Sequence, residues 1–253
     1  MNPFFNYYVL FSQIKKFEPR KNGWIQSHRP HEPYEFPPKK YEDVSPDHVC
    51  DAQVAQEHFP KLYSITSKRN SMLTEKFQNQ WDIEEVKALL YSSLGSRGEE
   101  RQLNSYYKNH NISLKRYPSA GAMYGVDVYV YLSDVEGSEN GFYRFYEDSL
   151  YKVGNCISLD RLQDMFAVPI NNNVKIFVFF VSDLEYLFPK YGYFSYQLSL
   201  LEAGHMAENI QLGVAEINKC ILPVGGFYSD MIMKELDFLQ DNYKHCIYTM
   251  LIG

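Results

Sequence analysis

The longest run of helical periodicity in the chain begins at Ser195. From there, apolar residues recur at Leu198, Leu201, Met206, Ile210, Val214 and Ile217, mostly three or four apart. That is the spacing of a helix with one buried face. Carried to about Asn218, such a helix is about 35 Å long and crosses a whole domain. Ser195 is its expected N-cap, the hydroxyl meeting an otherwise orphan amide. Ala203, Gly204 and Ala207 leave one stripe almost without side chains, which calls for close approach by another helix or a flat ligand. Pro189-Lys190-Tyr191-Gly192-Tyr193-Phe194 runs straight into this helix, with Lys190 and Tyr191 expected on a turn at its N-terminus.

A second amphipathic helix is predicted over 82–95. Ile83, Val86, Leu89 and Leu90 are its apolar set, with acidic residues in its first turn and Gly95 at its end. Residues 127–132, 141–147 and about 150–153 read as strands, the first two joined by a polar turn from Ser133 to Asn140. Together they predict an antiparallel meander. Residues 174–181, VKIFVFFV, are apolar without alternation, as in a central strand buried on both faces. A helix over 157–167, a Gly225-Gly226 turn, a short helix from about Ser229 and a final strand from His245 complete the pattern. Residues 96–113 read as a polar connection. The first 60 residues are rich in proline and charge, with Phe4, Phe5, Tyr7, Tyr8 and Phe11 at their start. X-Pro pairs favour extended chain, so 1–60 is expected to be an arm that docks on a partner subunit, with a small helix between Ala52 and Phe59. Residues 61–253 are expected to form the main domain.

A chain of 253 residues with 45% hydrophobic content suits one compact domain plus such an arm. Net charge of −6 gives no basic field for nucleic acid or an anionic membrane. The cysteines at 50, 156, 220 and 246 have no CxxC spacing, which predicts reduced thiols and no metal site. No targeting leader is apparent and 174–181 is too short to span a bilayer, so a soluble, cytoplasmic protein is expected.

Candidate chemistry is concentrated in four places. A lysine at a helix N-terminus feels the positive end of the dipole, and partial burial there would push its pKa down toward that of a general base. Tyr191 would orient it. A solvated Lys190 beside a packed Tyr191 is the other reading. Lys68, Arg69, Asn70 and Ser71 suit a phosphate, or simply a surface loop. In 115–124 the small residues Ser119, Ala120, Gly121 and Ala122 follow Lys115-Arg116, letting the backbone approach a planar or anionic ligand. Glu202 and His205 are expected to be hydrogen-bonded structural residues, and Cys220 to be buried rather than reactive.

Four stretches, in this order, resemble one family. The weakest is Lys68-Arg69-Asn70-Ser71. Arg116-YPSAGAMY resembles the flavin-binding PSAG segment of the SagB-type branch of the nitroreductase superfamily. Lys190-YGYFSYQLSLLEAGHMAEN resembles that branch's Lys-Tyr motif and Leu-Glu-Ala-Gly helix, and Leu222-PVGGFYSD its Pro-Val-Gly-Gly turn. Gly125 departs from the family's usual proline, which is expected mainly to loosen a turn. The resemblance covers about 60–253.

It implies an α+β, nitroreductase-like FMN-binding fold, with a mixed, mostly antiparallel sheet wrapped by helices. It also implies a homodimer binding FMN at its interface. The activity implied is dehydrogenation of a peptide azoline, thiazoline or oxazoline, to the azole, alongside a cyclodehydratase partner. Lys190 would be the base and Tyr191 its partner. Arg69 and Ser71 would reach the phosphate; Arg116, Pro118, Ser119, Ala120 and Gly121, with Val224, Gly225 and Gly226, would contact the flavin. A nicotinamide-dependent nitro- or quinone reductase, or a flavin-free scaffold subunit, are the alternatives.

Overall fold

The computed structural model describes residues 51–103, 110–238 and 241–253. Residues 1–50 of the arm expected over 1–60, and Cys50 with them, lie outside the described residues.

Two short helices, α1 (Ala52–His58) and α2 (Pro60–Lys68), open the described chain. Lys68, grouped with Arg69–Ser71 as a possible surface loop, is the last residue of α2. Helix α3 (Ile83–Leu94) starts where its sequence predicts: Asp82 accepts the Glu85 amide at 2.8 Å while the Glu85 carboxylate accepts the Asp82 amide at 3.3 Å. The expected polar connection after it is instead an antiparallel hairpin, β1 (Ser96–Leu103) with β2 (His110–Lys115). Arg97 to Gln102 are all exposed, so no buried face imprints an alternation on the sequence.

The main sheet is built from β3 (Val126–Leu132), β4 (Gly141–Tyr146), β5 (Ser149–Gly154), β6 (Ile176–Asp183), β7 (Ile221–Val224) and β8 (Lys244–Ile252), in the order β5-β4-β3-β6-β8-β7. Every pairing in it is antiparallel, more uniform than the mixed sheet expected. Pro223 sits on the edge strand β7, where a missing amide is tolerated, and Ser71 extends that edge by a parallel bridge to Ile221.

Side chains of β6 alternate between two cores. Ile176, Val178 and Phe180 join α3 and the long helix α6 (Ser195–Glu216) on one face. Phe177, Phe179 and Val181 join α4 (Leu159–Asp164) and α7 (Ser229–Glu235) on the other. Both faces are covered, and so β6 is apolar throughout. Helix α4 is shorter than the 157–167 span predicted, because Phe166 leaves it to bridge with Phe227.

One helix has no counterpart in the sequence pattern. Residues Leu184–Tyr191 form α5, capped by Asp183, whose carboxylate accepts the Tyr186 amide at 3.1 Å. Pro189 reads as a helix stop in sequence, but in so short a helix it forfeits little more than one backbone bond. A 3₁₀ turn (Gly192–Phe194) then leads into α6, about 33 Å long. Ser195 is not its N-cap: Phe194 holds that position, and the Ser195 hydroxyl donates to the Gly192 carbonyl at 2.7 Å. The small-residue stripe also divides. Ala203 and Ala207 are buried against the sheet, whereas Gly204 faces outward, and a side-chain carbon there would meet nothing within 4 Å. No helix among the described residues is long and apolar enough to cross a membrane.

Candidate functional site

Helix α6 grips the segment that precedes β3 with three polar side chains at i, i+3 and i+7. Asn209 Nδ2 donates to the carbonyls of Arg116 (3.1 Å) and Ser93 (3.0 Å). His205 Nδ1 pairs with the Pro118 carbonyl at 3.2 Å. Glu202 is 4% exposed and takes the Ser119 hydroxyl at 2.5 Å, the Val126 amide at 3.1 Å and the Gly125 amide. Burial, partly offset by these hydrogen bonds and the Lys115 charge, pushes its carboxyl up to about 7. Glu202 and His205 therefore have the structural hydrogen bonds expected of them. Asn209 is a site residue that sequence reasoning missed, although polar residues at helical spacing on an otherwise apolar helix were its signal.

The held segment is tightly wound. Gly121, Ala122 and Tyr124 have φ of 60°, 54° and 51°, the left-handed region that costs an L-residue about 1–2 kcal/mol. The Tyr124 amide donates to Ser119 Oγ at 2.9 Å, tying the turn shut. Both polar capacities of Ser119 are thus engaged within the chain.

Lys190 and Tyr191 close on this turn from the other side. Tyr191 donates its hydroxyl to the Ala120 carbonyl at 2.9 Å. A side-chain carbon at Gly121 would strike the Tyr191 hydroxyl and sit 2.7 Å from Lys190 Nζ. Lys190 Nζ lies 5.1 Å from the centre of the Tyr191 ring. The pair nevertheless occupies the last turn of α5, not the start of α6, and Lys190 is exposed. The carbonyl end of a helix favours a cation, so the dipole and burial arguments made from sequence do not apply to it.

Gly125 does more than loosen a turn. It is buried, its carbonyl accepts the Asp183 amide at 2.9 Å, and a side chain there would run into Leu187 of α5.

The Gly225-Gly226 turn follows β7 at the same end of the sheet, where β3 and β8 begin and β6 ends. From β3 to β7 is three strand spacings, roughly 14 Å. Val224 is buried, its carbonyl taken by Thr249 Oγ1 at 2.8 Å, and the Gly226 carbonyl accepts the Ala167 amide at 2.7 Å. A side chain at Gly225 would meet nothing within 4 Å.

The basic residues do not converge. Arg69 donates to Gln211 at 2.7 Å, while the Arg116 carbonyl is held by Asn209. Two residues apart on a helix is roughly 200° around its axis, so the two arginines flank α6 on different sides. The Arg116 guanidinium lies over the Tyr91 ring, 5.0 Å from its centre. Ser71 meets Ile221 at the start of β7, away from the Gly225 end. Cys220 is half-buried, burial pushing its thiol up.

No family model matches the chain. It is 26% identical over 183 residues to a protein of Methanocaldococcus jannaschii named as a nitroreductase, covering 70% of this chain and 84% of that one. Among solved structures it resembles a chain of the E. coli microcin synthetase McbBCD complex with truncated pro-MccB17 bound. The TM-score there is 0.64 at 16% identity, over 95% of this chain and 85% of the other. The fold is nitroreductase-like.

A protein from Anabaena variabilis named as a nitroreductase gives a TM-score of 0.60 at 19% identity, over 73% of this chain and 38% of its own length. At these identities the likeness is one of fold.

Proposed function

We propose that this chain is an FMN-dependent dehydrogenase that oxidises a peptide azoline, thiazoline or oxazoline, to the aromatic azole. The observation that carries this reading is the meeting of Lys190 and Tyr191 with the backbone of Ala120 and Gly121. Aromatisation removes a proton from one ring carbon and a hydride from its neighbour. A base must therefore lie beside a surface on which a flat acceptor rests.

The residues fit a flavin in two respects: Gly225 leaves open space where a flat ring needs it, and Gly121 keeps side-chain bulk away from Lys190. FMN, when bound, supplies the hydride acceptor. Pro118, Ser119, Ala120 and Gly121 on one side, and Val224, Gly225 and Gly226 on the other, would hold its ring, those of Ser119 through backbone atoms. Arg116, and Arg69 with Ser71, would meet its polar tail. Lys190 in its amine form takes the ring proton, and Tyr191 fixes the turn against it. Because Arg69 and Arg116 diverge around α6, a complete site would draw on a second copy of the chain, as a homodimer. The likeness to a chain of a peptide-modifying synthetase supports a peptide substrate and a cyclodehydratase partner.

The deciding experiment is the visible absorption spectrum of the purified protein before and after FMN is added. Flavin bands near one per chain support the reading; a spectrum that stays empty sinks it and favours a flavin-free scaffold subunit. With flavin bound, Lys190→Ala should abolish azole formation, and Lys190→Arg should not restore it, since guanidinium is no base.

The 26% identity to a protein named as a nitroreductase favours a second reading, a nicotinamide-dependent nitro- or quinone reductase. Such an enzyme needs no base at this position. Lys190→Ala would then leave its turnover nearly intact.

A further inference from the structure

We infer that Glu202 is a positioning residue for the Lys190–Tyr191 pair, acting through Ser119 and the turn that carries Ala120 and Gly121. The inference rests on the reaction proposed above only in what the pair is positioned for. The mechanical connection stands on the geometry alone.

Glu202 is closed off from solvent. Its carboxylate is buried, and each hydrogen bond it makes goes to the segment 119–126. Oε2 holds the Ser119 side chain at the start of the turn, and Oε1 holds the Val126 amide at its end. Between these two anchors lie three residues with left-handed φ, two of which carry side chains. Such a conformation persists only where its surroundings over-determine it. The outward side of the same turn is the one that meets Tyr191 and Lys190. The turn is thus clamped between a buried carboxylate on α6 and the end of α5. Relaxing it at Glu202 releases the Ala120 carbonyl that Tyr191 grips and the space beside Gly121 where Lys190 Nζ lies.

A core carboxylate without this role would be a poor choice. Burying a charge is costly unless it is paired or well hydrogen-bonded, and the same site with an apolar residue would pack without that cost. What the carboxylate adds is two acceptor oxygens set to catch both ends of one turn. The shape of the turn then depends on it.

The test compares Glu202→Ala and Glu202→Gln with the unsubstituted full-length protein. The first readout needs no flavin: the rate at which acetic anhydride in trace amount modifies Lys190, measured by mass spectrometry against the exposed Lys87 as internal reference. A several-fold change at Lys190 in Glu202→Ala is expected, with a smaller change in Glu202→Gln, whose amide oxygen can still accept the Val126 amide. A residue that merely supports the core would lower the melting temperature and leave the Lys190 rate unchanged. That outcome, in protein shown to be folded by circular dichroism, overturns the inference. Should Glu202→Ala not fold, the isosteric Glu202→Gln supplies the same comparison.

The second readout is the flavin-loaded protein acting on an azoline peptide. A kcat about tenfold to a hundredfold lower, with KM for the peptide little changed, is expected for a misplaced base. A rise in KM with kcat intact would count against positioning of the pair. If the protein binds no FMN, the proposed reaction falls, while the labelling experiment still decides whether Glu202 sets the surroundings of Lys190.

Discussion

Gly121 is where one added methyl group says most about the site. It stands at φ of 60°, and its missing side chain would point at Lys190 and Tyr191. Gly121→Ala therefore meets two costs, the left-handed backbone, about 1–2 kcal/mol, and displacement of the Tyr191 hydroxyl. A drop in unfolding free energy of about that size is expected in urea titrations, together with loss of azole formation. Glu202 yields a prediction of a different kind. Its carboxyl is raised from 4.5 to about 7, burial being the main cause, against hydrogen bonds and the Lys115 charge that lower it. Between those two values the folded chain keeps a proton that the unfolded chain has released. Stability from this group is therefore highest below about pH 4.5, falls as pH rises through about 7, and then levels off. The fall is roughly 3 kcal/mol at most. Glu202→Gln has no such slope, so its stability relative to the unsubstituted protein should rise across that window and level off above it. Urea titrations of both proteins at a series of pH values measure this directly; a difference that stays flat with pH would show that the carboxyl is not raised.

Among the elements, those that bury a face were legible and those that do not were hidden. The run 174–181 announced a central strand because both sides of β6 meet core, and the acidic first turn marked the start of α3, where Asp82 and Glu85 turn out to form a capping pair. The β1–β2 hairpin, exposed from Arg97 to Gln102, left no hydrophobic pattern to read. Helix α5 was masked by Pro189 and by its brevity, and the Lys190 argument fell with it, since the pair sits at the opposite end of a helix dipole from the one expected. The motifs of the site were legible as strings. Their partners were not, because which helix packs on which turn is a tertiary fact: nothing in the sequence joins Gly125 to Leu187. That contact is testable. A side chain at Gly125 would run into Leu187, so Gly125→Ala should cost about 1–3 kcal/mol by overpacking. Adding Leu187→Ala removes the obstacle, so the double variant should be less destabilised than the two single losses summed. Simple additivity in thermal or urea unfolding would mean that the two residues do not touch.

For the whole molecule, Arg69 and Arg116 diverge around α6, so the proposed FMN site would need a second copy of the chain to gather its basic groups. In the proposed homodimer that copy would pack on the outward face of α6. Leu201, counted with the buried face from its periodicity, is instead 58% exposed; with Phe194 (54%) and Leu200 (42%) it lies on the outward side, where Gly204 offers no side chain to hold a neighbour away. Apolar side chains around such a gap let two helices approach closely, and burying them contributes about 25 cal/mol per Å² toward association. The end of α5, carrying Lys190 and Tyr191, is joined to that face through the 3₁₀ turn Gly192–Phe194. A flavin held between two copies would thus lie close to both the pair and the interface. Leu201→Glu places a charge in the middle of this face without disturbing the chain's own core. It is expected to shift the protein from dimer to monomer in sedimentation velocity, and to weaken FMN binding in parallel while leaving the circular dichroism spectrum unchanged. A variant that remains dimeric would move the interface away from α6, and one that becomes monomeric yet binds FMN undiminished would mean that a single chain holds the cofactor by itself.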